Sequence, residues 1–386
     1  MLENVSLLLL GGIMLLLFFS ISFASQRIRI PSVLLFIIVG ILLAGAFSKS
    51  ETLHTIAEIG IVLLFFLLGL EFPLQRMLSI SKKVWPAGVL DLILNLGIGF
   101  LIALLFGFNL LTAFLIGAVA YASSSSITAK MLEEKKRLAN PEAEFILALL
   151  IFEDLAAPIL VSFLAGAYSG AEITGQFMGV LFLKIIIMTG GAIIIGYYGF
   201  RKLSNFVEKY LEMDFMSLFA VGIAFGYAGL AIALGLSEVL GAFLAGVMLS
   251  ETGRAKELEH LILPVRDITL PFFFFWFGTS ISFGETVPNI LFLIVLILWS
   301  IIGKIIVGFY GGRMYGLSSR VSIRAGLSLG QRGEFSAIIA AMAPSQLRVF
   351  SGIYILTTAF IGVFLFNKAP AWSKAINDKY LKQKVI

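Results

Sequence analysis

Apolar runs close to 20 residues long recur about every 20 to 35 residues along this 386-residue chain, and that recurrence leaves few architectures open. A helix rises ~1.5 Å per residue, so ~20 apolar residues cross the ~30 Å hydrocarbon core of a bilayer. The chain is 59% hydrophobic and 13% charged, with a mean hydropathy of +1.02. A soluble interior cannot hold that much apolar material. The runs are continuous rather than alternating, which excludes a transmembrane barrel. The sequence therefore predicts an all-α polytopic membrane protein.

Thirteen spans are expected, at roughly 5–26, 31–47, 55–72, 84–106, 110–132, 142–168, 175–200, 213–234, 237–251, 267–283, 288–310, 319–343 and 350–370. Most connections are short, so neighbours run antiparallel. Alternate connections carry the basic residues: Arg27 and Arg29, Arg76, Lys82 and Lys83, Lys130 and Lys135 to Arg137, Arg201, Lys202 and Lys209, Arg254, Lys256 and Arg266, Arg313 and Arg320. The intervening connections carry only Lys49 and Arg348. The positive-inside rule then puts the N-terminus outside and the C-terminus, with its lysine-rich segment 371–386, in the cytoplasm. No basic stretch precedes the first apolar run, which is expected to stay as a helix. The net charge of +5 follows from this topology and does not point to nucleic acid. There is no cysteine, and His54 and His260 fall in predicted loops or helix ends. No cofactor is expected, and no nucleophile–base pair suggests an enzyme.

The informative residues are the charges left inside the spans: Lys184, Lys304, Arg324 and Arg332, with Asp91, Glu153, Asp154 and Glu334. Each costs at least ~2.5–3.5 kcal/mol at mid-bilayer, so such residues persist where they pair, line water or carry ions. Arg324 lies near a span end and is expected to snorkel, and Lys184 to snorkel or find a structural partner. "LLIFEDLAAP", 149–158, sets two acids side by side in an apolar run. Adjacent helical residues point about 100° apart, so one acid can face a cavity while its neighbour meets a fixed counter-charge. Pro158 has no N–H, so the Asp154 carbonyl loses its helical partner. A free carbonyl beside a carboxylate suits a hard monovalent cation, and the carboxylate suits a proton. A structural salt bridge would need only one of the two acids.

Two spans look interrupted. "YASSSSITAK", 121–130, holds four serines in a row and then Thr128, hydroxyls that can satisfy an unwound backbone or simply let helices pack closely. "GLSLGQRGEFS", 326–336, puts three glycines, Gln331, Arg332 and Glu334 at mid-span, which an unbroken lipid-facing helix does not tolerate. The two segments run in opposite directions, seven spans apart. An inverted repeat with discontinuous helices has that signature, and Arg332 and Glu334 could neutralise the half-helix dipoles. Lys304, in the repeat mate of the fourth span, can pair with one acid and leave the other for transport.

These features resemble the monovalent cation:proton antiporter superfamily, Kef-like branch. The resemblance covers nearly the whole chain through "PSVLLFIIVGILLA" (31–44), "EIGIVLLFFLLGLEF" (58–72), "ASSSSIT" (122–128), "FEDLAAP" (152–158), "LGLSEVLGAFLAGVMLSET" (234–252) and "LSLGQRGEFS" (327–336). It implies a homodimer in the cell membrane, exchanging cytoplasmic potassium for external protons by alternating access. Scaffold helices would lie at about 5–72 and 213–283, a linker at 175–200, and an ion-transport core at 84–168 and 288–370. Asp154 takes the family's transport position and holds the potassium ion, and Glu153 stands where relatives often have Asn, Asp or Gln. Ser124, Ser125, Ser126 and Thr128 match one crossover, Gln331, Arg332 and Glu334 the other, and Lys304 the basic core position. Many Kef-like proteins carry a cytosolic nucleotide-binding domain. Here regulation is expected from a separate cytosolic subunit, with the basic segment 371–386 docking it or anionic lipid. The rival readings are a sodium/proton antiporter of the same fold and a non-transporting receptor or channel.

Overall fold

The computed structural model describes residues 6–28, 30–47, 50–71, 73–168, 175–200, 213–281 and 289–378. The basic residues Arg29, Lys49, Arg201, Lys202 and Lys209, and the lysines beyond Asp378, lie outside them. The described chain is helical: α1 Leu7–Ile28, α2 Ser32–Leu42, α3 Ala44–Phe47, α4 Glu51–Leu70, α5 Leu74–Asp91, α6 Ile98–Leu105, α7 Leu110–Tyr121, α8 Ser125–Glu134, α9 Pro141–Tyr168, α10 Gly175–Ile194, α11 Met213–Ala233, α12 Glu238–Ser250, α13 Ala255–Thr279, α14 Ile290–Tyr315, α15 Ser319–Gly326, α16 Glu334–Ala341 and α17 Ser345–Ile376. A π-helical turn, Leu92–Gly97, joins α5 to α6, and another, Ile195–Phe200, continues α10.

Ten helices among the described residues are long and apolar enough to cross a membrane. Leu110–Glu134 is counted among them although it is broken into α7 and α8; the other three expected spans are the shorter α2 and α12 and the pair α15–α16, which a longer stretch separates. Several boundaries differ from expectation. The tenth span begins at Ala255 rather than 267, so His260 and the loop cations Lys256 and Arg266 are helical. The helix tolerates Pro264 and Pro271 in its interior. The fourth apolar span, Lys83–Leu105, starts where expected, but its helix begins earlier, at Leu74, which makes helical the stretch read as a basic loop. The last span runs to Ile376, through the start of the expected tail. In each case the charged turn ends the apolar run without ending the helix, because hydropathy marks the bilayer edge and not the hydrogen-bond ladder.

The chain divides into two compact units, residues 1–78 with 158–280, and 79–157 with 281–386. In the first, helices approach through glycine. A Cβ on Gly40 of α2 would stand 3.0 Å from Gly278 Cα of α13, and one on Gly278 would stand 3.0 Å from Gly40 Cα. Gly69 of α4 and Gly246 of α12 meet in the same reciprocal way, at 3.0 and 2.8 Å. Small residues allow such close backbones where apolar burial cannot drive helices together in lipid.

The second unit contains two discontinuous helices of opposite direction, α7/α8 broken at 122–124 and α15/α16 broken at 327–333. Gly308 of α14 packs on Gly326 of α15 with no room for a side chain, since a Cβ on Gly326 would stand 2.8 Å from Ile305 Cα. The π turn is braced from α14, where the Trp299 indole donates to the Leu94 carbonyl at 2.7 Å.

Candidate functional site

The two breaks cross and satisfy each other. Ser124 N–H donates to the Gln331 carbonyl at 2.9 Å, and Ser123 Oγ donates to the Leu329 carbonyl at 3.1 Å. Gln331 Nε2 donates to Thr128 Oγ1 at 2.8 Å, and Ser336 Oγ to the Val119 carbonyl at 2.7 Å. Ser124 has extended backbone angles and caps α8 by accepting from Ile127 N–H at 3.2 Å. Irregular backbone at membrane depth survives only where protein pairs its polar groups. Gly333 leaves the space that the Ser124 side chain fills.

Glu334 sits at the start of α16 and reaches the start of α8 as well. Its Oε1 accepts from Ser126 N–H at 3.0 Å and its Oε2 from Ser124 Oγ at 2.7 Å. One carboxylate therefore faces the positive ends of two half-helices. Arg332 is fully buried, with long contacts from Nη1 to Ser123 Oγ at 3.4 Å and from Nη2 to Asn95 Oδ1 at 3.5 Å.

The carboxylate pair on α9 divides as its helical geometry requires. Glu153 is fully buried, and Lys304 Nζ donates to its Oε1 at 3.0 Å. Its Oε2 accepts a short hydrogen bond from Ser123 N–H. Asp154, 4% exposed, accepts from Ser125 Oγ at 2.7 and 2.8 Å. Ser125 is half-buried and Ser126 exposed, whereas Glu153 and Lys304 are enclosed.

Asp91 joins this network, although only its depth in the fourth span marked it in the sequence. Lys304 Nζ donates to both its oxygens at 2.8 Å, and Asn95 Nδ2 donates to Oδ1 at 2.7 Å. The lysine thus sits between two carboxylates from different helices. Asp91 and Lys304 are the mid-span charges of the two repeat-mate spans, a signal that could have paired them in advance. The π turn puts Asn95 on the bare backbone of α14, where a Cβ at Gly303 would stand 2.8 Å from Asn95 Oδ1. Ser123 and Asn95 had no sequence signal of their own beyond the serine run.

A second ionic cluster corrects the expectation for Arg324. Its guanidinium pairs with the fully buried Glu142 and is only 17% exposed, so it does not snorkel. Arg137 shares that carboxylate at 3.0 Å, and it donates to Ser328 Oγ at 3.0 Å. The cluster ties the 135–140 connection to α15.

The sodium/hydrogen exchanger, transmembrane, family model matches residues 13–368. The chain belongs to the sodium/hydrogen exchanger family. This exchanger is 50% identical over 375 residues to the ammonium/H(+) antiporter subunit AmhT of Alkalihalophilus pseudofirmus, covering 97% of this chain and 96% of that one. It is 32% identical over 344 residues to the K(+)/H(+) antiporter subunit KhtU of Bacillus subtilis, covering 86% and 83%. The glutathione-regulated potassium-efflux protein KefC of Escherichia coli is 30% identical over 323 residues, 82% of this chain and 52% of that one. The sodium proton antiporter MjNhaP1 of Methanocaldococcus jannaschii has the same fold, with a TM-score of 0.69 at 18% identity over 96% of this chain and 97% of that one. The exchanger is a multi-pass membrane cation/proton antiporter.

Proposed function

We propose that this antiporter exchanges a potassium-sized monovalent cation, ammonium or potassium, for protons by alternating access, with Asp154 as the shared site. The observation that carries the reading is the division of labour on α9. Glu153 is bound to a lysine and a backbone N–H, whereas Asp154 meets the half-buried Ser125 hydroxyl. The Asp154 carboxylate and the Ser125 hydroxyl make an all-oxygen set suited to a hard cation. A proton on the same carboxylate excludes the cation, and that exclusion couples the two flows. Glu153, Lys304, Gln331, Arg332 and Glu334 hold the crossing in shape around it, with Ser124, Ser126 and Thr128.

Ammonium and potassium are nearly equal in size, and the names of AmhT and KhtU support both. Sodium is the second reading, supported by the description of the family. Residues 79–157 and 281–386 form the transport core in this reading, and 1–78 with 158–280 the scaffold of a homodimer. The chain lies in the plasma membrane with its N-terminus outside, as the basic connections require. Both relatives are called subunits, which supports a separate cytosolic partner that gates the core. The decisive experiment is Asp154→Asn in everted vesicles or proteoliposomes. The variant should assemble yet fail to dissipate a proton gradient when ammonium, potassium or sodium chloride is added. Retained exchange would remove Asp154 from the role.

A further inference from the structure

Tyr121 is the last residue of α7, directly before the break, and it is fully buried. Its hydroxyl has no hydrogen-bond partner. The surroundings are the ion site itself. The Lys304 ammonium lies 5.6 Å from the ring centroid, and it is itself bound to Asp91 and Glu153. Ser125, which holds Asp154, follows four residues later across the unwound stretch.

A buried hydroxyl without a partner is a net loss to the folded protein, and phenylalanine would fill the same space without it. Packing accounts for the ring and leaves the oxygen unexplained. Ser123, Ser124, Ser125, Thr128 and Ser336 of the crossing all have hydroxyl partners, while Gln331 Oε1 and Arg332 Nε share the unpaired state of the Tyr121 oxygen. We infer that the Tyr121 hydroxyl is a ligand of the transported cation, supplying an oxygen opposite the Asp154 carboxylate when the ion is bound. This inference rests on Asp154 as the cation site. With the oxygen unpaired, no hydrogen bond need be broken when the ion enters. A cation stripped of water gains that oxygen, and the neutral phenol adds a ligand without adding charge beside three carboxylates.

The test is Tyr121→Phe, which removes one oxygen and keeps the ring. Purified parent and variant would be reconstituted with a trapped pH dye and titrated separately with ammonium, potassium and sodium chloride. Thermal unfolding in detergent would be followed with and without each salt, using choline chloride as the ionic control. The variant should show a KM raised about tenfold for the transported cation, with a smaller change in maximal rate. Its unfolding midpoint in choline should equal or exceed the parent's, and the stabilisation produced by the transported cation should shrink. An unchanged KM with undiminished cation stabilisation would overturn the inference. So would a midpoint in choline that falls while KM holds, because that is the behaviour of a structural hydroxyl. Asp154→Asn measured alongside keeps the two readings apart: exchange surviving in that variant refutes the Asp154 site, while the Tyr121→Phe comparison in the parent background still reports on the hydroxyl alone.

Discussion

Lys304 shows why the ionic core needs more members than a simple pair. With Asp91 and Glu153 both in contact, removing either acid leaves the ammonium one partner. Removing the lysine leaves two enclosed carboxylates with none of its compensation, and breaking a buried pair costs about 3–5 kcal/mol. Lys304→Met should therefore lower the unfolding midpoint more than Asp91→Asn or Glu153→Gln. The double variant Lys304→Met/Asp91→Asn should recover part of that loss. Thermal unfolding of the four purified proteins checks the order. Simple additivity would show that Asp91 and Lys304 are not coupled.

Two helix devices can be tested separately. Glu334 serves the N-terminal ends of both α8 and α16, and a charge in such a place contributes up to about 2 kcal/mol. Glu334→Gln keeps the shape and loses the charge, so a fall in stability of about 1–2 kcal/mol is expected in denaturant titrations, with Asp154 untouched. The α14–α15 contact behaves differently. Gly308→Ala would drive a Cβ into the Gly326 backbone, which has no side chain to move aside. Overpacking of this kind costs about 1–3 kcal/mol or more. Size-exclusion profiles and unfolding midpoints should show a destabilised or misassembled protein, whereas Gly11→Ala on α1, with open space around it, should leave both unchanged.

For the antiporter as a working unit, the proposed sharing of Asp154 by proton and cation predicts a kinetic signature. Proton and cation compete, so lowering the pH on the cation side should raise the apparent KM while leaving the maximal rate at saturating cation nearly constant. Dye-quenching measurements over a pH series in proteoliposomes would reveal it, and a pH-independent KM would indicate separate sites. Addition of a co-purifying cytosolic partner should change the rate of the reconstituted chain, because a gate must bind inward and outward states with different affinity. A rate unchanged by any such protein would leave the basic segment after α17 as a lipid anchor.

What could be read from the chain alone was whatever repeats locally. Hydropathy is averaged over a span, so the helical membrane class, most of the spans and the two interrupted segments at 121–130 and 326–336 were legible before any coordinates. Glu153, Asp154, Lys304, Arg332 and Glu334 were legible too, because a charge in hydrocarbon is costly wherever it falls. The tertiary structure alone decided who meets whom. Asp91 reaches Lys304 across 213 positions of chain, and Ser124 reaches Glu334 across 210. It set the π turn that lays Asn95 on Gly303, and it drew Arg324 onto Glu142 instead of out to the membrane edge. These are non-local pairings between helices whose approach is set by glycine backbones and crossing geometry. No window of sequence contains both partners, so periodicity could name the charges and not their assignments.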